Sequence, residues 1–266
     1  MADALRVEKD GPVVTLTINR PDMRNPLGED GDGALFTSVV NEINADRSVR
    51  CVILTGAGSA FSAGGNVKRM QERQAPFGGP GAHIADSYRT GIHLIVKALW
   101  NLQVPAIAAV NGPAIGLGND VACLCDMRIA AESAVMGSTF LKVGLIPGDG
   151  GAWLLPRIIG SARANELLFT GKLIDAKTAE SWGLVNMVVP DDALMDAAQK
   201  MAADVCKQST EVLRSAKRLL RAGQTTGFET IMEMSATTQA LMHQSDDHIE
   251  AVTAMLEKRA AQYTDK

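Results

Sequence analysis

Two glycine-rich stretches, each directly behind an apolar run, are where this chain could do chemistry. Ala60-Phe61-Ser62-Ala63-Gly64-Gly65-Asn66 follows Cys51-Val52-Ile53-Leu54-Thr55, and Asn111 to Asp120 follows Val104 to Val110. Glycine has no Cβ, so backbone can come close to a ligand. Where such a turn opens a helix, unpaired N–H groups and the positive dipole end face one point. Two of these devices suit an oxyanion hole, which holds charge that appears only during reaction. Singly, each stretch would also serve as a tight turn of an α/β chain. Asp120, two positions after Gly118, adds an acid to the pair. At a helix start the dipole favours the carboxylate, so the sequence predicts a lowered pKa and a base that positions water.

Several other chemistries find no support. Gly116-Leu117-Gly118 has Val121 where a dinucleotide fingerprint needs its third glycine. Gly171-Lys172 is followed by Leu173, not by the Ser or Thr of a phosphate loop, and no G-x-S-x-G elbow occurs. Cys123 and Cys125 are two apart in a helical stretch, so they face apart, and His83, His93, His243 and His248 form no cluster with them. No metal site is expected, and the four cysteines read as small buried hydrophobes of a reducing compartment. A net charge of −4 over 266 residues speaks against nucleic acid or an anionic membrane as partner. The first residues lack a basic-then-apolar signal, and no apolar stretch reaches the ~18 residues of a membrane span. A cytoplasmic protein is expected.

The elements that must position these residues alternate. Val13–Ile18, Cys51–Thr55, Val104–Val110 and Met127–Ala130 read as strands, being apolar, mostly β-branched and bounded by turn residues. Phe36, Val39, Val40 and Ile43 recur at helical spacing, as do residues 93–102 and 121–125. Residues 71–82, rich in Gly and Pro, read as a loop or lid, and 71–90 as the wall of a pocket. Strand–helix alternation implies right-handed crossovers and a largely parallel sheet. From residue 191 onward only helices are expected, over 192–208, 211–222 and 248–262. The expected division is a core of 1–190 and a helical region of 191–266 that packs on other subunits.

Five ordered segments resemble the enoyl-CoA hydratase/isomerase (crotonase) superfamily: NRPDMRNPL from Asn19, AFSAGGNVKRM from Ala60, AVNGPAIGLGNDVACLCDMRIAAESA from Ala109, VGLIPGDGGAWLLPRIIG from Val143 and FTGKLIDAKTAESWGLVNMVVP from Phe169. The resemblance implies an α/β fold, a crotonase-like spiral of ββα units with a C-terminal helical oligomerisation region. It implies an acyl-CoA thioester substrate, no cofactor beyond that coenzyme A, and a homotrimer or dimer of trimers. Carried over by residue, Gly65 and Leu117 supply the two oxyanion N–H groups. Arg24, Ala63, Asn66 and Lys68 fall in the segments that bind coenzyme A, although Lys68 equally suits a solvated helix face. Asp120 and Phe140 stand where hydratases of the family carry glutamates, and phenylalanine transfers no proton. Asp149 is the other acid in a matching segment, either a catalytic partner or an Asx-turn former. The implied activity is water addition to a 2-enoyl-CoA, with double-bond isomerisation or non-catalytic acyl-CoA binding as the alternatives.

Overall fold

Side-chain alternation along the apolar runs gives the central sheet two covered faces. The computed structural model describes residues 4–264. Its strands are β1 (Leu5–Asp10), β2 (Val13–Ile18), β3 (Cys51–Gly56), β4 (Ala106–Val110), β5 (Ala114–Ile115), β6 (Met127–Ala131), β7 (Val135–Gly137), β8 (Ile174–Asp175) and β9 (Met187–Val189). The main sheet runs β1-β2-β3-β4-β6-β9; only β1 with β2 is antiparallel, closed by the turn at Gly11. A second sheet, β5-β7-β8, stands beyond the end of β4. Every residue of β3 and β4 is buried, as expected of parallel strands covered on both sides.

Helices α1 (Asp32–Ala45), α2 (Val67–Gln71), α3 (Gly81–Ser87), α4 (His93–Trp100), α5 (Leu117–Leu124) and α6 (Gly151–Thr170) come next in chain order among the strands. They are followed by α7 (Ala176–Ser181), α8 (Leu194–Val205), α9 (Thr210–Ala222), α10 (Phe228–His243) and α11 (Asp246–Glu257). Val52, Leu54, Ala108 and Val110 face a core shared with α1, α4, α5 and α6. Cys51, Ile53, Ile107 and Ala109 face Leu194, Ala198 and Ala202 of α8. The first helix after residue 190 therefore closes the second face of the sheet.

The predicted strands are present, with the third beginning at Ala106 because Pro105 offers no N–H to the ladder. Three expectations need correction. Cys125 caps the end of α5 instead of lying within it. Residues 71–90 are not one loop: α3 begins at Gly81 and runs into a π-helical turn, Tyr88–Ile92, before α4. Helix α10 has no counterpart among the expected helices, since Ser235, Thr237 and Thr238 interrupt its apolar pattern and none of its residues is buried.

Candidate active site

A short ladder outside both sheets brings the two glycine turns together. Ser62 N–H donates to the Pro113 carbonyl at 3.0 Å, and Ile115 N–H donates to Ser62 at 2.9 Å. On the other side Ala63 N–H donates to Arg24 at 2.9 Å and Leu27 N–H to Gly64 at 3.0 Å. Ser62, fully buried, also gives its hydroxyl to the Asn25 carbonyl at 2.7 Å. The segments around Arg24, Gly64 and Ile115 thus lie side by side.

Glycine is needed here for room as well as for conformation. Gly64 has φ +85°, and a Cβ on it would lie 2.5 Å from the Ile115 carbonyl and 3.4 Å from the Leu117 nitrogen. A Cβ on Gly118 would overlap the Ser62 carbonyl. The Gly65 and Leu117 N–H groups consequently flank the same close approach. Leu117 opens α5 and Gly65 precedes the Asn66 cap of α2, and neither N–H donates to another described residue. One free donor opens α5 and the other lies just before α2, the kind of arrangement that suits an oxygen carrying negative charge.

Asp120 and Asp149 meet behind these donors. Asp120 is fully buried; its Oδ2 accepts the Gly151 N–H at 2.9 Å and its Oδ1 has no partner. Gly151 is the first residue of α6, so Asp120 faces two helix N-termini, yet its pKa is raised to about 7. Burial is the larger cause and the Asp149 charge the second, while the Gly151 hydrogen bond opposes both. The lowered pKa expected from the helix dipole is therefore wrong. A dipole contributes up to ~2 kcal/mol, whereas full burial shifts a carboxyl by up to ~3–5 pKa units, roughly 4–7 kcal/mol. Burial also raises Asp149, which is 4% exposed, to about 6, and its Oδ1 too is unpaired. Asp149 makes no Asx turn: no described hydrogen bond involves its side chain. Two carboxyls whose environments separate their pKa values around neutrality can divide acid and base roles.

A cavity of about 410 Å³ is lined by Met70, Gln71, Phe77, Tyr88, Val143 and Leu145 among others, and Tyr88 on its wall feels the Asp149 charge. A Cβ on Gly65 would lie 2.7 Å from Met70 Cε and 3.9 Å from Phe77 Cζ, so these two side chains cover the first donor. The Phe140 ring lies 3.7 Å from where a Cβ of Gly116 would be, forming a wall beside the second donor. A larger cavity of about 1150 Å³, lined by Trp100, Trp153 and Lys217 among others, lies toward α9 and α10 and touches neither acid nor glycine turn.

The remaining candidates divide. Arg24 is exposed, with φ +59°, and forms no ion pair among the described residues. Asn66 has its side chain committed: Oδ1 accepts from Arg69 N–H at 3.3 Å and Nδ2 donates to Glu29 at 3.0 Å. Lys68 is exposed and 4.0 Å from Glu72, an arrangement of a solvated helix face. Tyr88 and His93 were not singled out from sequence. His93 Nε2 lies 3.0 Å from the Gly148 carbonyl, and the Tyr88 ring stands edge-on to His93 with centroids 5.8 Å apart. Five residues apart, they share no face of an ordinary α-helix, so no helical spacing reveals them.

Among the described residues no group of three or more His, Cys, Asp or Glu could hold a metal, and no helix is long and apolar enough to cross a membrane. The family model described as enoyl-CoA hydratase/isomerase matches residues 8–266. Over 254 residues the chain is 37% identical to 1,2-epoxyphenylacetyl-CoA isomerase of Escherichia coli, covering 96% of this chain and 95% of that one. It is 34% identical over 256 residues to a short-chain-enoyl-CoA hydratase of Clostridium acetobutylicum, covering 95% and 94%. A crystal structure of enoyl-CoA hydratase from Bacillus anthracis superposes with a TM-score of 0.92 at 32% identity, covering 99% and 100% of the two chains. The chain belongs to the enoyl-CoA hydratase/isomerase family.

Proposed function

We propose that the protein adds water across the double bond of a 2-enoyl-CoA and needs no cofactor beyond the coenzyme A of its substrate. The observation that carries this reading is the pair of buried, unpaired carboxyl oxygens, Asp120 Oδ1 and Asp149 Oδ1, with Asp120 in the first turn of the helix that the free Leu117 N–H opens. Asp120, the more deeply buried of the two and raised further by the Asp149 charge, holds the proton, and Asp149 is the carboxylate. Asp149 takes a proton from water as its oxygen bonds to C3. The electron pair of the double bond moves to the thioester oxygen, held by the Gly65 and Leu117 N–H groups. Collapse of that enolate takes the Asp120 proton onto C2. This assignment reverses the roles expected for Asp120 from its place on a helix.

A double-bond isomerase is the second reading. Phe140 occupies one of the family's glutamate positions, and the relative from Escherichia coli is named an isomerase. Incubation with crotonyl-CoA and with a 3-enoyl-CoA separates the two. Hydration removes the 2-enoyl absorbance of the first; isomerisation creates it from the second. For hydration, kcat/KM follows a narrow bell, rising with an acid limb near pH 6 as Asp149 ionises and falling near pH 7 as Asp120 does. A profile flat from pH 5 to 9 removes the two-carboxyl mechanism.

Coenzyme A is assigned to the Arg24 side of the ladder, because the Arg24 backbone holds Ala63 and its guanidinium is exposed without an acidic partner among the described residues. Arg24→Ala raises KM with little change in kcat, since a remote phosphate contact is equal in ground and transition states. An unchanged KM at low ionic strength takes Arg24 out of the site. We also propose a cytoplasmic homotrimer or dimer of trimers formed through the region after residue 190. Support comes from Phe228, Leu241, Met255 and Leu256 on α10 and α11, all strongly exposed large apolar side chains.

A further inference from the structure

Tyr88 owes its position to an irregularity. Residues 81–100 form one helical run broken by the π-turn Tyr88–Ile92, in which the His93 N–H reaches back five residues to the Tyr88 carbonyl. An α-helix would point residues 88 and 93 about 140° apart; the wider turn brings their rings edge to face. Single π-turns of this kind are concentrated at functional sites. His93 in turn lies 3.0 Å from the Gly148 carbonyl, with Nε2 as the donor a carbonyl requires. Asp149 follows directly. One inserted residue thus ties Tyr88, His93 and the loop of the second acid into a single cluster.

The Tyr88 hydroxyl is the group in this cluster with nothing to do. Its ring packs edge-on against Phe77, at 6.4 Å, and lines the 410 Å³ cavity whose other end covers Gly65. The hydroxyl makes no hydrogen bond to a described residue, and among the side chains lining the cavity only Gln71 carries another polar group. An apolar cavity with few polar groups uses those groups to orient its ligand.

We propose that Tyr88 is a third catalytic residue, donating its O–H to the oxygen that becomes bonded to C3. The role rests on the hydration reading. The attacking water has two lone pairs and two protons. One pair forms the bond to C3, one proton passes to Asp149, and the second lone pair accepts from Tyr88. Tyr88 itself exchanges no proton. Burial and the nearby Asp149 charge both raise its pKa, which keeps the phenol neutral and a donor.

Tyr88→Phe removes the hydroxyl and leaves the ring contacts in place. The expected result is a fall in kcat for crotonyl-CoA hydration of about ten-fold, the range for losing one hydrogen bond that orients the attacking water, with KM within about threefold. The discriminating measurement is exchange of the C2 protons of butanoyl-CoA with D2O. That reaction passes through the same enolate but adds no oxygen at C3, so Tyr88→Phe retains it at the wild-type rate. Hydration at the wild-type rate in Tyr88→Phe overturns the proposal while the hydratase reading stands. Equal loss of hydration and exchange also overturns it, because the tyrosine would then only support the fold of the site. A wild-type protein that exchanges C2 protons but hydrates no enoyl-CoA removes the hydratase reading, and the proposal with it.

Discussion

Asp120→Asn lowers kcat for hydration by about two to four orders of magnitude, the range for loss of a general acid or base. Asparagine keeps the shape and can still accept the Gly151 N–H, so the change is confined to the proton. Asp149→Asn produces a fall of similar size, and the two variants differ in what remains of the pH profile. With Asp149 neutral, the acid limb near pH 6 disappears, and the basic limb moves down because Asp120 has lost the nearby charge that helps to raise it. With Asp120 neutral, the basic limb near pH 7 disappears instead. The opposite pattern assigns the base to Asp120. Thermal melts give an independent reading of the same pKa. A carboxyl whose folded pKa is raised stabilises the fold fully below its unfolded value and loses that contribution as pH rises through about 7. Asp120→Asn therefore gains stability relative to wild type between pH 5 and 8, by about 2.6 kcal/mol for a shift from 3.8 to about 7. An equal melting temperature difference at both pH values contradicts the raised pKa.

Gly65→Pro is expected to cost about two to three orders of magnitude in kcat, because it deletes one of the two N–H donors proposed to hold the thioester oxygen. Gly65 itself has no positive φ, so the ring is compatible with its side of the backbone, and Met70 Cε, the nearest atom a Cβ would meet, ends a flexible side chain. Leu117→Ala is the matched control. It keeps the N–H and loses buried side-chain packing, so it lowers the melting temperature more than the rate. Steady-state kinetics beside circular dichroism and melting curves separate the two. If Leu117→Ala lost as much activity as Gly65→Pro, the assignment to backbone donors would fail.

The sequence revealed parts of this site that depend on local pattern. β2 and β3 were legible from uninterrupted apolar runs between turn residues, and the glycine turns from their place behind such runs. What brings the turns together is a ladder of long-range bonds, Ala63 to Arg24 and Ser62 to Pro113, which spacing alone does not show. The acid's pKa was misread because only the helix bearing Asp120 is visible locally. Its burial and its partner come from α6 and Asp149, 29 residues later in the chain, and these outweigh the dipole. Tyr88 and His93 were invisible for a different reason. A π-turn has no composition of its own, and residues 71–90 carry the Gly and Pro content of a loop although half of them are helical. α10 escaped notice because no face of it is buried in the described chain, so no apolar stripe marks it.

The contact between Asp120 and Gly151 also constrains how this active site could change over generations. Aspartate and glutamate codons differ by one base, so the family's commoner acid at position 120 is a single mutational step away. The step is blocked by shape. A Cβ on Gly151 would already lie 2.5 Å from Asp120 Oδ1, so the carboxyl and the start of α6 leave no space for another carbon between them. A glutamate would have to swing aside and give up the Gly151 N–H, or push α6 outward and take Asp149 with it. Conversely, a side chain at 151 would press directly on the Asp120 carboxyl. The two positions are coupled sterically, so a substitution at either one displaces the Asp120 carboxyl or the start of α6.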